Sequence, residues 1–203
     1  MARTNNYLIQ AQQAKERFAS YDQQKIIAKL NLSHDAQFLY TSMLSETYRI
    51  HRKSGEIFRK TETGWADANS YEEVMTLLDL LCDSREDRHL TGRWKSTTDF
   101  GRTFHRNLNE GKADPWAEAF QADPEGFRKA CLALGGKPFT QGDIAYAMDF
   151  FDGLPILIQL WFGDEEFPAS LRFLWDENAL MYLKYETMYF AKSLLLEKIK
   201  ERM

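Results

Sequence analysis

A chain of 203 residues, 44% hydrophobic, 14% aromatic and 28% charged, can bury one substantial core and is too apolar to remain disordered. Its formal charge of −4 excludes a general nucleic-acid binder, which would need an excess of Lys and Arg to displace phosphate counterions. The opening MARTNNYLIQAQQAKERF lacks the apolar centre of a signal peptide, and the apolar run Leu154 to Phe162 is far shorter than the roughly 18 residues that span a bilayer, so a soluble, cytoplasmic protein without membrane partners is expected.

Tyr7, Leu8, Ala11, Ala14, Phe18 and Tyr21 recur at helical spacing, and Ile26, Ile27 and Leu30 continue the stripe, which predicts packing helices at the start. The segments FLYTSML, ETYRIHR and EIFRKT, rich in aromatic and β-branched residues, predict a small antiparallel β unit with Lys53-Ser54-Gly55 as a turn. Ser70-Tyr71-Glu72-Glu73 is a capping box, and Val74, Leu77, Leu78 and Leu81 follow on one helical face. The irregular stretch 83–98 is the expected place for a mobile loop, or for a boundary between two lobes of a single α+β domain spanning 1–203. Asp114-Pro115 and Asp123-Pro124 each set a capping acid before a proline at the first helical position, where a missing N–H costs nothing. Two short helices are expected there, the second stopping at Gly135-Gly136. Cys82 and Cys131 lie alone inside apolar helical patterns and read as buried, reduced thiols.

Parity organises the next part. Even positions are apolar in Ile144, Tyr146, Met148 and Phe150 and again in Ile156, Ile158, Leu160 and Phe162, whereas Ala169, Leu171, Phe173 and Trp175 are odd. A three-residue loop Phe151-Asp152-Gly153 keeps even opposite even, and an even-length second loop, either a Gly163-Asp164 turn or a wider one reaching Pro168, lets the third strand share the apolar face. A closing helix follows, with Tyr185, Met188, Tyr189, Leu195, Leu196 and Ile199 in period and Lys198, Lys200 and Arg202 at the negative end of its dipole.

No HExxH, GxSxG, paired CxxC or strand-bound GxGxxG occurs. The four histidines, His34, His51, His89 and His105, lack ligand partners at helical spacing, so no metal site is expected from them. Two surfaces invite a small anionic or planar ligand or a partner protein. The more polar face of the meander combines Asp149, Gln159 and Arg172 with Trp161 as a flat platform. The loop SREDRHLTGRWKSTTDFGRTFHR interleaves Arg93, Trp94 and Arg102 with further basic and aromatic residues that could hold carboxylate, phosphate or planar rings. Asp164, Glu165 and Glu166 could gather a hard cation, but without calcium-loop spacing they read as a solvated hairpin tip.

The motifs LTGRWKS with Gly101 and Phe104 following, LLDLL before them, and GDEEFPASLRFLW leading to YLKYET are similar to the domain-of-unknown-function family numbered 3786, mostly from anaerobic bacteria and some archaea. The resemblance covers most of the chain beyond about Phe38. It implies a domain without an assigned reaction, so no catalytic residue carries over. It also implies company with anaerobic redox or corrinoid chemistry, because relatives with an additional cysteine-rich iron-sulfur segment belong to it. Two widely spaced cysteines cannot supply four thiolates, so no cluster of this chain's own is expected.

The expected fold is therefore α+β: N-terminal helices, a small β unit, central helices, an antiparallel meander and a closing helix. The expected function is a non-catalytic accessory or small-ligand-binding role linked to anaerobic metabolism, with its cofactor open. The alternatives are a metal-dependent hydrolase or transferase using Asp149, Asp164, Glu165 and Glu166, and a protein-interaction module presenting the aromatic-basic loop.

Overall fold

Asp22 separates the first two helices. In the computed structural model, which describes residues 6–101 and 114–203, α1 runs Asn6–Ser20 and α2 runs Gln23–Leu30. The Asp22 carboxylate accepts the N–H groups of Gln24 and Lys25, which no helical carbonyl could reach. The chain forms two units: one takes the residues up to His89 together with Leu180–Leu194, the other takes Leu90–Ala179 with Leu195–Met203.

In the first unit, β1 (Ser33–His34), β2 (Phe38–Met43), β3 (Glu46–His51), β4 (Ile57–Thr61) and β5 (Gly64–Asp67) form an antiparallel sheet in chain order. The three expected strands are β2, β3 and β4. Leu39, Met43, Tyr48, Ile50 and Ile57 alternate onto one face and are buried, as are Phe18 and Ile26 from the helices. The other face carries half-buried Phe38, Tyr40, Arg49, Phe58 and Trp65. Helix α3 (Tyr71–Asp83) opens on the expected capping box, with Ser70 and Glu73 satisfying each other's backbone N–H groups.

One expectation for α1 is corrected. Of its apolar stripe only Phe18 is buried, while Tyr7 and Leu8 are 61% and 68% exposed. Together with Tyr71, Tyr189 and Phe190 they line a surface cleft of about 500 Å³ instead of a core.

Gly55 is fixed by position as well as by conformation. Its φ is +72°, and a β-carbon there would lie 2.9 Å from the Cα of Lys15 in α1. Gly55→Ala is expected to cost about 2–3 kcal/mol by urea unfolding, since strain and a backbone clash add. Gly92→Ala, with φ +75° but open space around it, should cost only about 1 kcal/mol.

The second unit holds a sheet of β6 (Trp94–Ser96), β7 (Lys137–Pro138), β8 (Ile144–Phe151), β9 (Leu154–Trp161) and β10 (Ser170–Asp176), all antiparallel in the order β6-β10-β9-β8-β7. Helices α4 (Pro115–Ala122) and α5 (Pro124–Ala133) begin with the Asp-Pro caps and pack on its central strands. Even faces even, as in Tyr146 opposite Ile158, but the device differs from the expected loop. Asp152 and Gly153 make a two-residue turn, both with positive φ (52° and 80°), and a bulge between Asp149 and Phe151 restores the parity that such a turn alone would break. The second loop is the wider one, since Ser170 pairs with Trp161. Phe162 leaves the apolar set and is 41% exposed, because β9 ends one residue earlier. The closing helix α6 spans Tyr185–Lys200. Among the described residues no helix is long and apolar enough to cross a membrane.

Candidate functional site

The expected face of the second sheet is partly assembled. Arg172 pairs directly with Gln159, and its guanidinium stands 5.9 Å from the Trp161 ring centroid. Gln159, however, is 3% exposed and turns its amide to the backbone and side-chain oxygens of Gln141 at 3.3 and 3.4 Å. Asp149 lies four residues along β8 from the Gln159 row, on the order of 13 Å away, and accepts the Gly153 N–H at 3.1 Å. Burial pushes its carboxyl up, against the pull of that N–H.

Of the named residues of the aromatic-basic loop, Trp94 alone is placed by strand register on the face of Gln159 and Arg172 among the described residues. Arg93 pairs with Glu177, its Nε donating at 2.7 Å. Trp94 meets Phe139 edge to face at 5.8 Å. By strand register both rings share a face with Leu157, which is fully buried. Arg102 lies outside the described residues. The loop itself is tied down by Asp176, 1% exposed, whose carboxylate accepts the N–H groups of Thr91 (3.0 Å), Gly92 (2.7 Å) and Asn178 (2.9 Å).

Asp164 spends its carboxylate on its own turn, accepting from the Glu166 and Phe167 N–H groups at 2.8 Å, which hold it below the usual carboxylate range. Glu165 and Glu166 are exposed. Among the described residues no three His, Cys, Asp or Glu side chains are grouped to hold a metal ion.

A denser site lies in the first unit, at residues the sequence reading did not single out. Helix α3 carries Asp79 and Asp83 one turn apart, so both carboxyls project to one side. Lys184 and Thr187 reach them from the start of α6, and Arg17 reaches them from α1. The Lys184 ammonium donates to Asp79 Oδ1 at 2.7 Å and also to Asp83 Oδ2. Arg17 takes Asp83 with both terminal nitrogens, Nη1 to Oδ2 at 2.7 Å. Asp79 Oδ2 accepts from the Thr187 hydroxyl and, at 3.4 Å, from the Lys184 backbone N–H, so the carboxyl also caps α6.

The two acids are driven in opposite directions. Burial raises Asp79, a hydrogen bond shared with Asp83 raises it further, and Lys184 and Thr187 offset only part of this. Burial acts on Asp83 too, but the Arg17, Asp79 and Lys184 hydrogen bonds to its ionised form outweigh it and hold it well below the usual range. The two neighbouring carboxyls are thus pushed apart, Asp79 up and Asp83 down, the direction in which paired acids divide acid from base roles. Cys82, one turn from Asp79 and next to Asp83 in the chain, is pushed by burial up to about 11 and stays a thiol.

Arg17, Asp79, Lys184 and Thr187 line a cleft of about 430 Å³ whose other walls include the polar Gln10, Gln13 and Glu186 and the apolar Ala14, Met75, Leu78 and Phe190. Lys184 and Arg17 remain half exposed, at 51% and 45%, whereas Asp79 is 10% exposed. The hydrogen-bond donors are thus more open to solvent than the acid they hold. The clue in the sequence is Asp79 itself, an acid in the middle of LLDLL on a helix whose surrounding leucines are all buried.

A family model described as "Domain of unknown function (DUF3786)" matches residues 22–198. The chain belongs to that family. Searches of curated proteins and of solved structures returned no match. The sequence motifs that resemble DUF3786 converge in pairs: LLDLL meets YLKYET at Asp79, Lys184 and Thr187, and LTGRWKS meets the end of β10 at Asp176. The second junction is a structural knot. The first opens on a cleft.

Proposed function

We propose that this DUF3786 protein binds a small molecule in the cleft of its first unit, as an accessory protein and not as a catalyst. The reading rests on Arg17, Asp79 and Lys184, tied together through Asp83, standing in the wall of a cleft that also offers the apolar side chains of Met75, Leu78 and Phe190. A molecule with an apolar body over Met75, Leu78 and Phe190 and an oxygen acceptor at its head would meet Lys184 and Arg17. Asp79 and Asp83 then hold both cations in place, which lowers the ordering cost of binding. The ties to anaerobic redox and corrinoid chemistry that the family resemblance implies put corrinoids, beside carboxylates, nucleotides and folates, in the first screen.

A ligand at a hundred times its Kd adds about 2.7 kcal/mol to stability, about 5–10 °C in Tm for a chain of this length. Such a shift should be lost in Lys184→Gln and kept in Arg172→Ala. Loss in Arg172→Ala with retention in Lys184→Gln would move the site to the second sheet, which is the alternative reading. It rests on Arg172, which among the described residues has no carboxylate partner and stands beside Trp161.

A further inference from the structure

The outer face of the first sheet carries an arginine in an unusual setting. Arg49 sits on β3 opposite Tyr40 on β2 and Phe58 on β4. Its guanidinium carbon lies 4.3 Å from the Phe38 ring centroid, 4.6 Å from Trp65 and 5.1 Å from Phe58. Three rings therefore frame the cation. Among the described residues its side chain makes no hydrogen bond or ion pair, and its Nε is buried without an acceptor.

The acids nearby are committed elsewhere. Asp35 accepts from the Tyr40 hydroxyl and from the Gln37 and Phe38 N–H groups, each at 2.7 Å. Asp67, two strands across on the same row, accepts from Asn69 Nδ2 at 2.7 Å. A second cation, Lys60, stands 5.2 Å from the Trp65 ring on the same face. Three rings within 5.1 Å of the guanidinium carbon restrict the Arg49 side chain, so less freedom remains to be lost when its fork of terminal N–H groups takes a partner.

We propose that this face is a protein-docking surface whose centre is Arg49, and that its occupant is a partner segment presenting one Asp or Glu side chain with apolar neighbours. An unpaired planar fork calls for a planar acceptor, and a carboxylate matches it with two parallel hydrogen bonds. Rings and an arginine concentrated on an open sheet face have the composition of an interface hot spot. Nucleic acid fits less well. The rings already cover the guanidinium and are not free to stack bases, and Asp35 and Asp67 repel a polyanion.

The test is a selection from a random-peptide library on the full chain, followed by NMR titration of the Arg49 Nε–H and Trp65 indole N–H signals. Selected peptides should carry an Asp or Glu beside apolar residues and should shift both signals. Changing that acid to its amide should weaken binding by about tenfold or more, without touching the protein. Arg49→Lys, which keeps the charge and removes the fork, should do the same. Selection of no peptide, of peptides without an acid, or of peptides indifferent to the amide change would overturn the proposal, as would an oligothymidylate shifting these signals where acidic peptides do not.

Discussion

Replacing Asp79 by Ala lowers stability by about 3 kcal/mol in urea unfolding, whereas replacement by Asn costs about 1 kcal/mol. The contrast follows from the state of the group. Ala leaves the Thr187 hydroxyl and the Lys184 amide without their acceptor and strands the Lys184 ammonium on Asp83 alone. Asn has the shape and neutrality of the protonated acid, which burial favours at this position. Its amide can still donate to Asp83 and accept from Thr187.

The pH dependence carries the same argument with a definite sign. A carboxyl raised in the fold contributes stability that is complete below its unfolded value of about 3.9 and is lost as pH rises through the folded value. Asp79 is such a group. Asp83 is depressed, so its contribution is present above about 3.9 and lost as pH falls through the folded value. Wild type should therefore lose stability relative to Asp79→Asn as pH rises from about 4, and lose it in parallel with that variant as Asp83 protonates in strong acid. Parallel curves above about pH 4 would mean that the fold does not raise Asp79.

At Asp176 the amide should recover less than it does at Asp79. Asp176→Ala is expected to cost about 3 kcal/mol or more, and Asp176→Asn about 2 kcal/mol, because here the amide replaces only part of the acceptor set. Both oxygens of Asp176 accept: Oδ1 from Asn178 at 2.9 Å and Oδ2 from Gly92 at 2.7 Å, with Thr91 reaching both. An Asn must turn its own N–H toward one of these donors. Hydrogen exchange at the Gly92 and Thr91 amides should quicken in both variants, by more in Ala than in Asn. Unchanged protection would show that the loop does not depend on this carboxylate.

Much of the fold was legible because its signals are local. The capping box at Ser70, the Asp-Pro caps at Asp114 and Asp123, and the parity of residues 144–175 each reflect a backbone requirement that neighbouring residues satisfy. Parity even predicted the outcome of the first hairpin, though not the bulge that achieves it, since a bulge leaves no mark in side-chain alternation. The edge strand β6 was hidden inside a loop-like stretch because three residues pairing with β10 carry no periodicity of their own.

The site was legible only in fragments. Gln159 and Arg172 could be placed on one face by counting, yet the burial of Gln159 against Gln141 depends on a loop whose path counting does not give. Asp79, Lys184 and Arg17 are brought together across 167 positions of chain, from Arg17 to Lys184, and no spacing rule links them. Only the acid inside LLDLL hinted at them. Tyr7 and Leu8 misled in the reverse direction, because a helical stripe has the same period whether it faces a core or lines a cleft.

The most direct measurement is a titration of the side-chain carboxyl carbons of Asp79 and Asp83 by NMR in the intact protein. Asp79 should titrate above the ordinary carboxylate value of about 3.9 and Asp83 below it, each responding to Lys184→Gln. Asp79 titrating at or below about 3.9 would contradict this, because the cleft wall would then hold an ordinary surface ion pair.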